Sequence, residues 1–173
     1  AENNVFGCGY NSDMTEQAPN AHLTSAIWHW DVYYQAAIET AMTCGGAENF
    51  VTEMGGNAYY AGLSEGFVDA STLNELVAAP GTAAAMEAVR ELIDSGEWDV
   101  FSDVKLNIAV DAEADTAAVE QVDAPLMSDG YELKDGEVVE MANPEIVPAG
   151  GASVTDDVIK SGMNYNVAGV VEG

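Results

Sequence analysis

No lysine or arginine occurs in the chain before Arg90, and only Lys105, Lys134 and Lys160 follow it. Against these 4 basic residues stand 30 Asp and Glu, a formal net charge of -26. Such a chain cannot neutralise phosphates, so nucleic acid and anionic membrane surfaces are poor partners for it. The acidity reads as a solvated, self-repelling surface that favours solubility, as in a high-salt organism or a secreted acidic protein. Cation binding is the other use of such a charge. Disorder is not implied, because 48% of residues are hydrophobic and 20% charged, near ordinary globular usage. The 173 residues suffice for one domain with a sizeable core.

No apolar run reaches the ~18 residues that a membrane span needs. Residues 1–4 are polar and show no signal peptide, so the expectation is a cytoplasmic chain or one whose export segment is missing. Cys8 and Cys44 are too few for a disulfide framework and read as small buried hydrophobes, with a single bridge as the alternative.

Strand and helix signals alternate, which predicts an α/β class. Residues 5–10 read as a buried strand running into glycine, followed by an Asn11-Ser12-Asp13 turn. Residues 23–27 alternate as a second strand. A helix is expected over 31–44, capped by Asp31, with Tyr34, Ala37, Ile38 and Ala41 on one apolar stripe and Gly45-Gly46 as its stop. Residues 57–69 read as a strand, a turn at Ser64-Glu65-Gly66 and a second extended piece. Thr72 caps a short helix through Val77, and Thr82 another, with Ala85, Val89, Leu92 and Ile93 as its stripe and Gly96 as its end. Residues 98–101 look like a strand, and 111–123 like a surface helix or mobile insertion. Asp129-Gly130 and Asp135-Gly136 read as turns around a small hairpin. Pro144 and residues 148–151 mark loops. Thr155 caps a last helix through Ile159, and residues 167–171 form a terminal strand.

Standard catalytic signatures are absent: no GxSxG, P-loop, HExxH or GxGxxG occurs. His22 and His29 are the only histidines, and neither has a nucleophile beside it in sequence. Asp111, Glu113 and Asp115 resemble the start of a calcium loop, but Thr116 replaces its glycine and Val122 its closing glutamate. Two clusters remain. Asn11 to Asp13 lies past a strand end, where open α/β sheets place ligands, and also suits an ordinary Asx turn. Trp28 and Trp30 can stack on a flat ligand; alternatively they pack in the core, on opposite faces if the strand continues.

These clusters carry a family resemblance. The run Gly9-Tyr10-Asn11-Ser12-Asp13-Met14, then Ala18-Pro19, then residues 23–30 with Tyr33-Tyr34, resembles the basic membrane protein family. These are nucleoside-type solute-binding lipoproteins of ABC importers. Residues 60–69, 93–101 and 147–150, with Met163-Asn164-Tyr165 and Gly169-Val170-Val171, resemble later family segments in the same order; residues 107–123 look inserted. The resemblance implies Rossmann-like lobes of a type I periplasmic binding protein, of which this chain is the C-terminal half. It implies a lobe-crossing core over 1–104, an acidic insertion and hairpin over 105–146, and the C-terminal segment over 147–173.

In function it implies a non-enzymatic, extracytoplasmic component that captures a nucleoside, nucleobase or similar flat heterocycle in an interlobe cleft. An ABC permease would be its partner, a lipidated N-terminus its anchor and a homo-oligomer one state of the fragment; no cofactor is expected. Nucleoside-binding members place an Asp where this chain has Asn11, and a Lys where it has Trp28. That exchanges a strong hydroxyl acceptor and a cation for an amide and a stacking face. Asn11, Asp13, Trp28 and Trp30 are the predicted ligand-binding residues. A Rossmann-like enzyme using Asp13 with His22 or His29, and an acidic interaction module using residues 107–140, are the alternatives.

Overall fold

A computed structural model describes residues 5–170. Helix and strand occupy comparable shares, 22% and 30%, so the chain is neither all-α nor all-β, in keeping with the expected mixed class. Contacts divide it into two units. One runs to Met86 and takes in Asp111–Thr116; the other comprises Glu87–Val110 and the chain from Ala117 onward.

The first unit holds strands β1 (Gly7–Asn11) and β2 (His22–Trp28), helices α1 (Trp30–Thr43) and α2 (Phe50–Glu53), strand β3 (Val68–Ala70) and the start of α3 (Thr82–Asp94). Its sheet has the order β1-β2-β3. β1 runs parallel to β2, with Tyr10 opposite Ala26 and Asn11 opposite Ile27. β3 runs antiparallel to β2, with Trp28 opposite Val68. The β1–β2 connection contains no helix; Ala18 N–H donates to Met14 O at 3.0 Å and His22 N–H to Ala18 O at 2.8 Å, coiling it into turns. β1 starts later than the apolar run suggests and is an exposed strand rather than the expected buried one, with Val5, Phe6 and Tyr10 exposed, because it lies at the sheet edge.

α1 begins at Trp30, with His29 rather than Asp31 in the cap position and no side-chain cap bond. Asp31 lies in the first turn, where a carboxylate suits the positive end of the helix dipole. The stop is as expected, with Gly45 at φ 74°. The expected stripe is not the inward one: Tyr34, Ile38 and Ala41 are exposed, while Tyr33, Ala36, Ala37 and Thr40 are half-buried. Tyr33 sets that rotation, because its ring packs 5.3 Å from Tyr59 and 6.4 Å from Trp30.

α2 has no counterpart among the sequence expectations. Residues 57–62 are irregular rather than a strand, but the following turn forms, with Gly66 at φ 71°, and leads into β3. The helix expected over 72–77 is absent. Asn74 is buried there and spends its amide on Pro19 O (2.8 Å) and His22 O (2.9 Å), a side-chain alternative to helical bonding. α3 forms as expected except at its cap, Thr82 being its first helical residue: Ala85, Val89, Leu92 and Ile93 are half-buried, Glu87 and Glu91 exposed, and Gly96 turns the chain at φ 71°.

β4 (Val104–Asp111) pairs with β5 (Thr116–Asp123), and all but their ends at Asp111 and Thr116 belong to the second unit. β6 (Leu126–Lys134) pairs antiparallel with β7 (Glu137–Glu140), β8 (Glu145–Val147) and β9 (Tyr165–Val167). The Asp135-Gly136 turn is as read, both residues having positive φ. Asp129-Gly130 is not a turn; it lies within β6. Residues 98–101 form a turn, not a strand, because Asp99 Oδ1 accepts Phe101 N–H at 2.7 Å. Residues 111–123 are a turn and a strand, not a helix: Asp111 Oδ1 accepts the N–H groups of Glu113 and Ala114, both at 3.0 Å. After Thr155 the chain makes a helical segment that ends in a π-helical turn, Val158–Gly162. The terminal strand is β9, and a turn follows it; Val171, part of the expected strand, lies outside the described residues.

Among the described residues the buried hydrophobic side chains are Phe67 in the first unit and Val147 in the second. Cys8 and Cys44 are free, and neither is buried, contrary to the expectation. Cys8 lies on an edge strand, where one side of the ladder faces solvent. No helix among the described residues is long and apolar enough to cross a membrane.

Candidate ligand pocket

β2 ends at Trp28 and α1 begins at Trp30, so a single residue separates two indoles at a strand-to-helix corner. His29 N–H donates to Phe67 O at 2.9 Å, tying that corner to the chain entering β3. The corner thereby gathers Trp28, Trp30 and Tyr33 against Tyr59, Tyr60 and Phe67. Together with Ala61 and Val68 these residues line a cavity of about 510 Å³. That volume falls within the usual range for small-molecule sites.

The rings meet at steep angles. Trp28 and Trp30 are 5.5 Å apart at 88°, and Trp30 and Phe67 are 5.5 Å apart at 88°. Tyr59 meets Phe67 at 5.3 Å and 83°, and Tyr10 meets Trp28 at 5.4 Å and 81°. Such edge-to-face pairs are each worth roughly 0.5–1.5 kcal/mol beyond the area they bury. Phe67 is buried, whereas Trp30 and Tyr60 remain 46% and 63% exposed. The pocket thus has an apolar base and aromatic side chains open to solvent.

Trp28 and Trp30 are therefore brought together in one lining. The strand stops at Trp28 and the chain turns into α1, so the condition under which they would face oppositely, a continuing strand, is not met. Asn11 and Asp13 do not line this cavity. Asn11 is exposed at the end of β1 with φ 76°, a left-handed conformation that asparagine tolerates. Tyr33, Tyr59, Tyr60 and Phe67 are lining residues that the sequence reading did not single out. Their only signal was the density of aromatic residues in two segments that the fold brings together.

Asp13 belongs to a second cluster. Its Oδ1 accepts Thr15 N–H at 2.9 Å and Thr15 Oγ–H at 2.6 Å. Those two hydrogen bonds, the side-chain one foremost, hold its carboxyl below the ordinary aspartate value. Thr15 Oγ1 lies 3.0 Å from His22 Nδ1, and His22 Nε2 lies 2.7 Å from Ser25 Oγ. Thr15 has one hydroxyl proton and gives it to Asp13. In the neutral tautomer this leaves His22 donating from Nδ1 and accepting Ser25 O–H at Nε2. The order Ser–His–Thr–Asp resembles a nucleophile relay, but Ser25 is 0% exposed. Gly9 of β1 covers it so closely that an added Cβ would collide with Ser25 Oγ and lie 2.9 Å from Met14 Cγ. A nucleophile so enclosed has no approach for substrate, and the cluster acts as a strut between β2 and the loop after β1.

His29, the other histidine, stands 3.9 Å from Asp69 and is 43% exposed on its side chain. Asp69 follows Val68 along β3, so the two side chains leave opposite faces of the strand, and only Val68 lines the cavity. Among the described residues no group of three or more His, Cys, Asp or Glu is arranged to hold a metal ion, the Asp111–Asp115 run included.

The chain matches no protein-family model and no curated protein.

Proposed function

We propose that this chain is the ligand-binding part of an extracytoplasmic solute-binding component of an ABC importer. In this reading it captures a nucleoside, a nucleobase or a similar flat heterocycle, and it is not an enzyme. The observation that supports the reading is the aromatic pocket, which unites the two tryptophans predicted to contact ligand. A flat ring gains stacking area on an indole face, and Trp N–H and Tyr O–H groups supply directional contacts. The sealing of Ser25 weighs against the relay around His22 as catalytic machinery.

The finer elements belong to the same proposal. They are Rossmann-like lobes of the type I periplasmic binding fold, closure on ligand, an ABC permease as partner and a lipid-anchored N-terminus. Asn11 and Asp13, outside the lining, would act on a ligand that extends beyond the pocket. The test is isothermal titration of the full chain with adenosine and with adenine. Saturable binding that Trp28→Ala and Trp30→Ala each weaken by tenfold or more supports the reading. Binding that both variants leave unchanged contradicts it, as does steady conversion of adenosine to product.

A further inference from the structure

We infer that the captured solute bears an alkylated ammonium nitrogen, which this pocket holds by its aromatic faces; the inference rests on reading the pocket as the ligand site and narrows the proposed ligand class to organic cations. Ring geometry is the first support. Trp28 with Trp30, Trp30 with Phe67, and Tyr59 with Phe67 meet at 88°, 88° and 83°. No flat ligand can lie parallel to both members of such a pair. A compact tetrahedral head group can touch two perpendicular walls at once, and the negative face of each ring attracts a cation.

The second support is the chemistry of the lining. The lining side chains are aromatic or aliphatic, and none is charged. A quaternary ammonium has no N–H to satisfy, so it loses no hydrogen bond on entering such a site. Primary amines and sugar hydroxyls do need partners there, and among the lining side chains only the Trp N–H and Tyr O–H groups supply them.

Charge is the third. All four Lys and Arg residues of the chain, from Arg90 on, lie outside the unit that contains the pocket. Asp31 follows directly on the lining residue Trp30, and Asp69 follows Val68 on the opposite face of β3, so neither lines the cavity but both add negative charge near it. An organic cation is drawn into that field, whereas an anion is repelled from it.

The test is titration calorimetry of the full chain, at constant ionic strength, with three probes. Choline supplies the cationic head, 3,3-dimethylbutan-1-ol the same shape without charge, and adenosine a neutral heterocycle. We expect choline to bind about tenfold or more tightly than its neutral isostere. Trp30→Phe should keep most of that preference, and Trp30→Leu should abolish it, with unchanged circular dichroism in both. Equal binding of choline and the isostere overturns the inference. Binding of adenosine with no response to choline also overturns it, while leaving the pocket as the ligand site. Silence from all three probes overturns the inference and the ligand-site reading together.

Discussion

Asp13, one of the predicted ligand-binding residues, also anchors the fold. Its two hydrogen bonds from Thr15 anchor the loop after β1, and Thr15 passes the contact on to buried His22 and Ser25. Because its carboxyl is held low, it stabilises the fold above its unfolded-state value, and that contribution disappears as pH falls through the folded value. Asp13→Asn should therefore lower the melting temperature at neutral pH. The gap between variant and parent should close as pH drops below about 4, the ordinary aspartate range. Thermal melts across pH 2–7 check this, and a gap that stays constant contradicts it. Gly9 is the residue that makes the cluster possible, since only a missing side chain lets β1 pass over Ser25.

Elements set by local chemistry were legible in the sequence. The β6–β7 hairpin follows from Asp135-Gly136, whose positive φ angles suit a tight turn between strands. α3 follows from its stripe and its closing Gly96. α1 was legible in extent but not in rotation, because Tyr33 is drawn inward by Tyr59, far away in sequence. The same distance hid half of the pocket: Trp28 and Trp30 announce themselves, but Tyr59 and Phe67 join them only through the β2–β3 pairing. Asn74 was missed for a related reason, since its partners are Pro19 and His22. The rotation of α1 has a direct consequence. Ile38 is 60% exposed, so Ile38→Lys should change unfolding free energy by no more than about 0.5 kcal/mol. Tyr33→Ala removes ring contacts to Trp30, Tyr34 and Tyr59 and should cost more than about 1 kcal/mol. Urea unfolding of both variants decides it, and a costly Ile38→Lys beside a neutral Tyr33→Ala would reverse the helix's inward face.

For the whole chain, a net charge of -26 is the dominant long-range term. Among the described residues Arg90 lies 3.6 Å from Asp94 and Lys160 2.8 Å from Asp156, so two of the four bases are engaged within their own helical turns. Most carboxylates therefore repel one another without a fixed counter-charge, and added salt should screen that repulsion. The melting temperature should rise as sodium chloride increases from about 0.1 M to 1 M, over which the Debye length falls from about 10 to 3 Å. A melting temperature that falls with salt would mean that the few ion pairs outweigh the repulsion. The same field gives the aromatic pocket its proposed preference for a cation.

The central claim, that the Trp28–Trp30 corner takes a small molecule, is tested most directly by the indole N–H signals in a ¹H–¹⁵N spectrum. The chain has 3 tryptophans, and the third, Trp98, belongs to the other unit and donates its Nε1–H to Val104 O at 2.9 Å. It is an internal reference within the same sample. On titration with choline, and separately with adenosine, at least one of the two should shift the Trp28 and Trp30 indoles saturably while Trp98 stays in place. Three unmoved signals with both probes, or a shift confined to Trp98, would contradict it.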